Sequence, residues 1–224
     1  MSIVFLPTCN LRCPYCHAPH LVQAPNDLES IPLDAIVNKI RQNQGWIDGI
    51  VVTGGEPTSH KHLDSLLKVF KDTGVAVRLD TNGTNPYVLK DLIDRELLDC
   101  VAMDIKAPLR KEKYEQISGV PCDVEAIRES ICIIMESGIE YEFRTTVCPT
   151  QLDGEDIESI AKTIQGAERY IIQSFRPNHC LDEGMLKIKP YSTETLRDFA
   201  ASAARYVDYC CVRGETDKPI QRNW

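Results

Sequence analysis

Six times in succession a short apolar run gives way to a stretch with helical spacing, and that alternation limits the chain to a small set of αβ architectures. Strand-like runs lie near 2–6, 48–52, 75–80, 99–104, 140–147 and 168–174, and helical patterns near 33–43, 60–72, 86–97, 123–136 and 154–165 are interleaved with them. Leu63, Leu66, Leu67 and Phe70 recur at three- and four-residue spacing ahead of Gly74, which reads as a helix stop. Asn85 and Pro86 read as the N-cap and first residue of the next helix, with Val88, Leu89, Leu92 and Ile93 on its buried face. A final helix near 193–206 leads to a last strand-like run from Val207 to Val212. The repeats favour one parallel sheet with crossover helices, doubly wound or rolled into an incomplete barrel, in a single domain over 1–224.

Charge and cysteine usage narrow the function classes. The chain carries 25 basic and 33 acidic residues, a net −8, interspersed rather than blocked, which argues against a nucleic-acid partner bound through its phosphates. It shows neither an export signal nor an uncharged apolar stretch that would span a bilayer, so a cytoplasmic protein with no membrane partner is expected. Ten cysteines would suggest disulfides in a secreted mini-protein, but a chain of 224 residues does not need such staples and carries no export signal. Clustered cysteines then read as metal ligands.

Cys9, Cys13 and Cys16 form C-x3-C-x2-C directly after the first strand. Three thiolates on one short loop can hold three irons of a cubane cluster and leave the fourth open to a ligand. Two other readings stay open at this point: zinc held with His17 or His20 in a non-catalytic scaffold, and a C-x-x-C-H haem attachment that leaves Cys9 unexplained.

Further motifs close the later strands. Gly54-Gly55-Glu56-Pro57 follows the second, its glycines permitting close approach of a ligand and Glu56 offering an anion to an ammonium, or else forming a tight turn. Asp80-Thr81-Asn82-Gly83 ends the third, and Asp104-Ile105-Lys106 ends the fourth. Alternation places Asp104 and Lys106 on one face, to grip a zwitterionic ligand or small cation or to form a structural ion pair. Arg144 and Arg176, near the ends of the fifth and sixth strands, add positive charge to the same rim. All these motifs fall at one mouth, where such folds build their sites.

The remaining cysteines suggest no second cluster motif. Cys100 and Cys132 lie on apolar patterns and are expected in the core, and Cys210 and Cys211 should point to opposite faces. Cys148 and Cys180 follow the fifth and sixth strands, close to the mouth, while Cys122 fits no motif.

Taken together, the C-x3-C-x-aromatic-C signature with Tyr15 as the aromatic resembles the radical S-adenosylmethionine (SAM) superfamily. Cys9–His17, Gly54–Thr58, Leu79–Thr84 and Ala102–Pro108 are similar to the activating proteins of anaerobic ribonucleoside-triphosphate reductase. Glu142–Val147, Gln173–Pro177 and Val212–Glu215 continue the match. The resemblance implies an incomplete (β/α)6 TIM-like barrel of parallel strands, with a C-terminal helix and strand. Cys9, Cys13 and Cys16 would ligate a 4Fe-4S cluster. Gly54, Gly55 and Glu56 would bind the methionine amine of SAM, Lys106 and Arg144 would contact it, and Tyr15 and Asn82 would join the cofactor-binding set. Asp80, Thr81 and Asp104 match positions that surround a monovalent cation in related activases. The implied activity is reductive cleavage of SAM to a 5'-deoxyadenosyl radical, fed by a flavodoxin- or ferredoxin-like donor, that sets a glycyl radical on the reductase. The alternatives are another glycyl-radical enzyme or a small molecule as substrate.

Overall fold

The computed structural model describes residues 1–213. Seven strands lie in one parallel sheet in strict chain order, β1 (Ser2–Leu6), β2 (Gly49–Gly54), β3 (Ala76–Thr81), β4 (Cys100–Asp104), β5 (Glu140–Val147), β6 (Tyr170–Ser174) and β7 (Cys210–Val212). The helices are α1 (Pro19–Gln23), α2 (Leu33–Gln42), α3 (Leu63–Lys71), α4 (Pro86–Asp94), α5 (Lys111–Ser118), α6 (Val124–Glu136), α7 (Gly154–Thr163) and α8 (Thr193–Ala203). Among the described residues β1 pairs with β2 alone and β7 with β6 alone, so the barrel is left open between its first and last strands. The expected incomplete barrel, with α8 and β7 as its C-terminal helix and strand, is therefore the fold. No helix of the described residues is long and apolar enough to cross a membrane. Gly214 and Glu215, which continue the sequence resemblance, lie outside the described residues.

Period-two patterning sorts the side chains. Ile50, Val52, Val77, Leu79, Val101, Met103 and Phe143 are fully buried on one face of the sheet, in the core beneath the helices. Each such side chain contributes on the order of 1.5–3 kcal/mol through burial. The alternate positions carry polar and charged groups instead: Arg78 pairs in register with Cys100, Asp80 with Ala102, and Asp104 with Arg144. That second face lines the inside of the barrel.

Several local expectations need correction. Asn85 is the N-cap residue of α4 with Pro86 next, as expected, but its side chain makes no capping hydrogen bond; its Nδ2 donates to Thr58 Oγ1 at 2.8 Å, tying the α4 entrance to the loop after β2. Helix α4 ends at Asp94 rather than 97 because Glu96 turns into the left-handed region at φ 55°. Cys132 is exposed, because α6 buries Ile127, Ser130, Ile131 and Ile134 and residue 132 sits about 100° round the helix from Ile131. Helices α1 and α5 were not anticipated: α1 has five residues, and α5 buries only Tyr114, Ile117 and Ser118 in an otherwise polar segment. The run before β7 becomes strand only over Cys210–Val212.

Candidate active site

The loop after β1 begins with Thr8 at φ 64°, a left-handed conformation that β-branched residues rarely adopt. Two backbone hydrogen bonds hold it: Thr8 N–H donates to the Leu21 carbonyl and Glu56 N–H donates to the Thr8 carbonyl, each at 2.8 Å. Gly54 and Gly55 lie against this turn. A Cβ on Gly55 would overlap the Thr8 carbonyl, and one on Gly54 the Leu6 backbone, so the close approach these glycines permit is that of the chain to itself. From the other side, Arg12 N–H donates to the Ser118 carbonyl at 2.7 Å, and Gly119, at φ 72°, leaves room for the Arg12 backbone. The unanticipated α5 thus anchors the cysteine loop.

One cavity of about 220 Å³ opens at the C-terminal ends of the strands. The β1 loop contributes Cys9, Cys13, Tyr15 and Cys16 to its wall, and β2 and its loop contribute Gly54, Gly55 and Glu56. From β3 and its loop come Asp80, Thr81 and Asn82, from the β4 end Asp104 and Lys106, and from β5 Arg144. Every residue expected to hold the cluster or SAM is therefore in one wall. Arg176 is exposed and is not among the lining residues. Cys148 and Cys180 are buried, with Cys148 Sγ 3.5 Å from Thr150 Oγ1 and Cys180 Sγ donating to the Arg176 carbonyl at 3.8 Å.

Glu56 is buried to 1% exposure and is held by its neighbours. Its Oε1 accepts from Thr58 N–H at 3.0 Å, Thr58 Oγ1 at 2.6 Å and Thr81 Oγ1 at 2.7 Å, while Oε2 accepts from Asn82 N–H at 2.7 Å. Burial lifts its pKa above the ordinary glutamate value, and these donors offset part of that rise. Asn82 Nδ2 in turn donates to Asn10 Oδ1 at 2.9 Å, linking the β3 end to the cysteine loop. Asn10 was missed by sequence reasoning; its place between Cys9 and Cys13 was the available signal.

Charges alternate along the inside of the barrel. Lys106 Nζ donates to Asp104 Oδ2 at 3.2 Å, and Arg144 donates from Nε to Asp104 Oδ1 and from Nη1 to Asp80 Oδ2, both at 2.9 Å. Arg78 bonds Asp80 Oδ1 and Glu142 Oε1, each at 2.8 Å. Burial alone would raise the Asp104 pKa, but Arg144 and Lys106 outweigh it and hold the carboxyl at about 2. Glu142, also missed, is 5% exposed and kept low by Arg78 and Arg144 against its burial.

The thiols sit in contrasting surroundings. Burial pushes Cys13 up to about 11, and raises Cys9, which receives the Leu11 N–H at 3.4 Å. Thiols raised this way are poor free nucleophiles, and a bound metal is what deprotonates such groups. Among the described residues no three or more His, Cys, Asp or Glu side chains are drawn together as a metal site.

The sequence from residue 3 to 166 matches the Radical SAM superfamily description. The chain belongs to the radical SAM superfamily. Its radical SAM relatives include the candidate glycyl-radical enzyme activating enzyme MJ1227 of Methanocaldococcus jannaschii, 35% identical over 95% of this chain and 88% of that protein. The pyruvate formate-lyase-activating enzyme of Staphylococcus aureus is 30% identical over 53% of this chain and 51% of its own length. The SAM-bound structure of Streptococcus suis SuiB shares the fold, with a TM-score of 0.71 and 18% identity over 95% of this chain; this chain spans about half of SuiB, 50% of its length.

Membership in the radical SAM superfamily implies an iron–sulfur cluster and SAM, and the residues present fit both. Three thiols from one loop line the cavity, and the Tyr15 hydroxyl is buried there without a hydrogen-bond partner. The monovalent cation does not fit. Asp80 and Asp104 are bridged by Arg144, and the Thr81 hydroxyl donates to Glu56.

Proposed function

We propose that this chain is the activating enzyme of an anaerobic ribonucleoside-triphosphate reductase, with SAM bound in the 220 Å³ cavity. The observation that carries the cofactor assignment is that three thiols of one loop, the Glu56 carboxyl and the cationic Lys106–Arg144 pair line one cavity wall. A zwitterionic amino-acid moiety needs an acceptor for its ammonium and donors for its carboxylate, and this wall supplies both. When bound, a 4Fe-4S cluster and SAM would supply one-electron reductive chemistry able to remove a hydrogen atom from glycine.

The chain's own residues position and protect. Cys9, Cys13 and Cys16 would hold three irons of a 4Fe-4S cluster. Glu56, fixed by Thr58, Thr81 and Asn82, presents Oε2 to the ligand's ammonium. Lys106 and Arg144, each anchored on Asp104, face the ligand's carboxylate. Gly54, Gly55 and Tyr15 complete the wall and exclude water from it.

A protein substrate suits the open barrel. Ile3 and Phe5 on the edge strand are 57% and 60% exposed, and register with Val51 and Thr53 on the side that continues to Arg78, the barrel's inner face. That leaves an apolar approach by which a glycine-bearing loop can reach the cavity. Resemblance of the four strand-end motifs supports the reductase as the partner and a flavodoxin- or ferredoxin-like protein as the electron donor.

The test is anaerobic reconstitution with iron and sulfide, reduction with dithionite, and addition of SAM with and without the reductase. The expected results are 5'-deoxyadenosine and a glycyl-radical doublet by electron paramagnetic resonance, both abolished by Cys13→Ala. Deoxyadenosine without the doublet would move the assignment to another glycyl-radical enzyme or a small molecule. A protein that binds zinc and no iron would return it to the non-catalytic scaffold.

A further inference from the structure

We propose that the Arg144 guanidinium is a built-in substitute for the alkali cation, so that SAM binds this chain without dependence on K⁺ or Na⁺. The proposal rests on the reading of the cavity as the SAM pocket and assigns the charge that serves it.

The three side chains implied as cation ligands are already engaged, oxygen by oxygen. Asp80 Oδ1 accepts from Arg78 Nε at 2.8 Å and Oδ2 from Arg144 Nη1 at 2.9 Å. Asp104 Oδ1 accepts from Arg144 Nε at 2.9 Å and Oδ2 from Lys106 Nζ at 3.2 Å. The Thr81 hydroxyl donates to Glu56 at 2.7 Å and accepts from Gly83 N–H at 3.2 Å. Hard cations bind where oxygens concentrate uncompensated negative charge. Here every carboxylate oxygen of Asp80 and Asp104 is paired with Arg78, Arg144 or Lys106, and Glu56, the remaining carboxyl of the wall, is already capped by Thr58, Thr81 and Asn82, so the carboxylates offer an ion no unpartnered oxygen.

Register explains how one side chain takes the position. Arg144 is the in-register neighbour of Asp104, whereas Asp80 lies two strands away, in a row with Ala102 and Glu142. Ala102 is the β4 residue of that row, and a side chain of one methyl between Asp80 and Glu142 is compatible with the Arg144–Asp80 bond. The guanidinium also lines the cavity, and although burial by itself would lower its pKa, Asp104, Asp80 and Glu142 outweigh that and hold it above the ordinary arginine value, so its charge is permanent.

The test is the SAM dissociation constant of the cluster-loaded protein, by isothermal titration in KCl, NaCl and tetramethylammonium chloride at one ionic strength. Values within about twofold of each other are expected, whereas binding weaker by about tenfold or more in tetramethylammonium would overturn the proposal. No binding in any salt would remove the pocket assignment and the proposal together, which separates the two failures. A second readout uses cluster-free protein. Wild-type unfolding midpoints should coincide in the three salts, and Arg144→Gln, which leaves Asp80 and Asp104 facing one another, should be stabilised by KCl relative to tetramethylammonium. An Arg144→Gln chain that folds and is indifferent to K⁺ would also overturn it; should that variant not fold, the wild-type titration decides.

Discussion

The Glu56 carboxylate, just past β2, accepts the backbone N–H of Asn82, just past β3, at 2.7 Å. With Thr58 and Thr81 on its other oxygen, it latches together two strand-end loops that both line the cavity. In Glu56→Gln an amide N–H₂ would have to face the Asn82 N–H or displace the threonine donors. The expected cost is about 1–3 kcal/mol of stability in urea unfolding, with SAM affinity falling as well. An unchanged midpoint would show that the latch carries no strain-free advantage over an amide.

Gly55→Ala tests the closeness of the cysteine loop to the β2 end. The added Cβ meets the Thr8 carbonyl, a backbone atom already held by Glu56 N–H, so neither side can yield without breaking that bond. A loss of at least about 3 kcal/mol is expected, seen as insoluble expression or a collapsed unfolding midpoint. A stable Gly55→Ala protein that still holds iron would refute this account of the loop.

Lys106 reaches the cavity from the end of β4, paired with Asp104. Removing its ammonium in Lys106→Ala deletes one charge-assisted donor to the ligand's carboxylate. SAM binding by isothermal titration should weaken by about 10- to 100-fold, with iron content unchanged. Intact binding would remove Lys106 from the pocket.

Asp104 supplies a pH signature. Its carboxyl is held at about 2 against an ordinary 3.8, because Arg144 and Lys106 overcome its burial. A depressed carboxyl contributes stability that is complete above the unfolded value and is lost as pH falls toward the folded one. Asp104→Asn should therefore cost about 2 kcal/mol near neutrality, and the gap between variant and wild type should narrow from pH 4 toward pH 2. A gap constant across that range would show that the stabilisation does not depend on the ionised carboxylate.

Much of this was legible in the chain's own pattern. The alternation of strand-like and helical periods placed each strand within a few residues, and the motifs were legible as strand-end residues because each follows an apolar run directly. Local patterning could not find α5, whose few buried positions carry little periodic signal, nor place Cys132 correctly, since an apolar neighbourhood does not say which side of a helix faces the core.

The sequence by itself determined the parallel αβ class, the cysteine loop and the strand ends that supply most of the cavity wall, because these depend on neighbours along the chain and on which end of a strand they follow. Only the tertiary structure decided what those wall residues do to one another. Glu56 meets Asn82, and Arg144 reaches Asp80 two strands away, through the register of separate strands. Register is set by packing of the opposite, apolar face of the sheet, so a charge's partner across the barrel is fixed by residues it never touches.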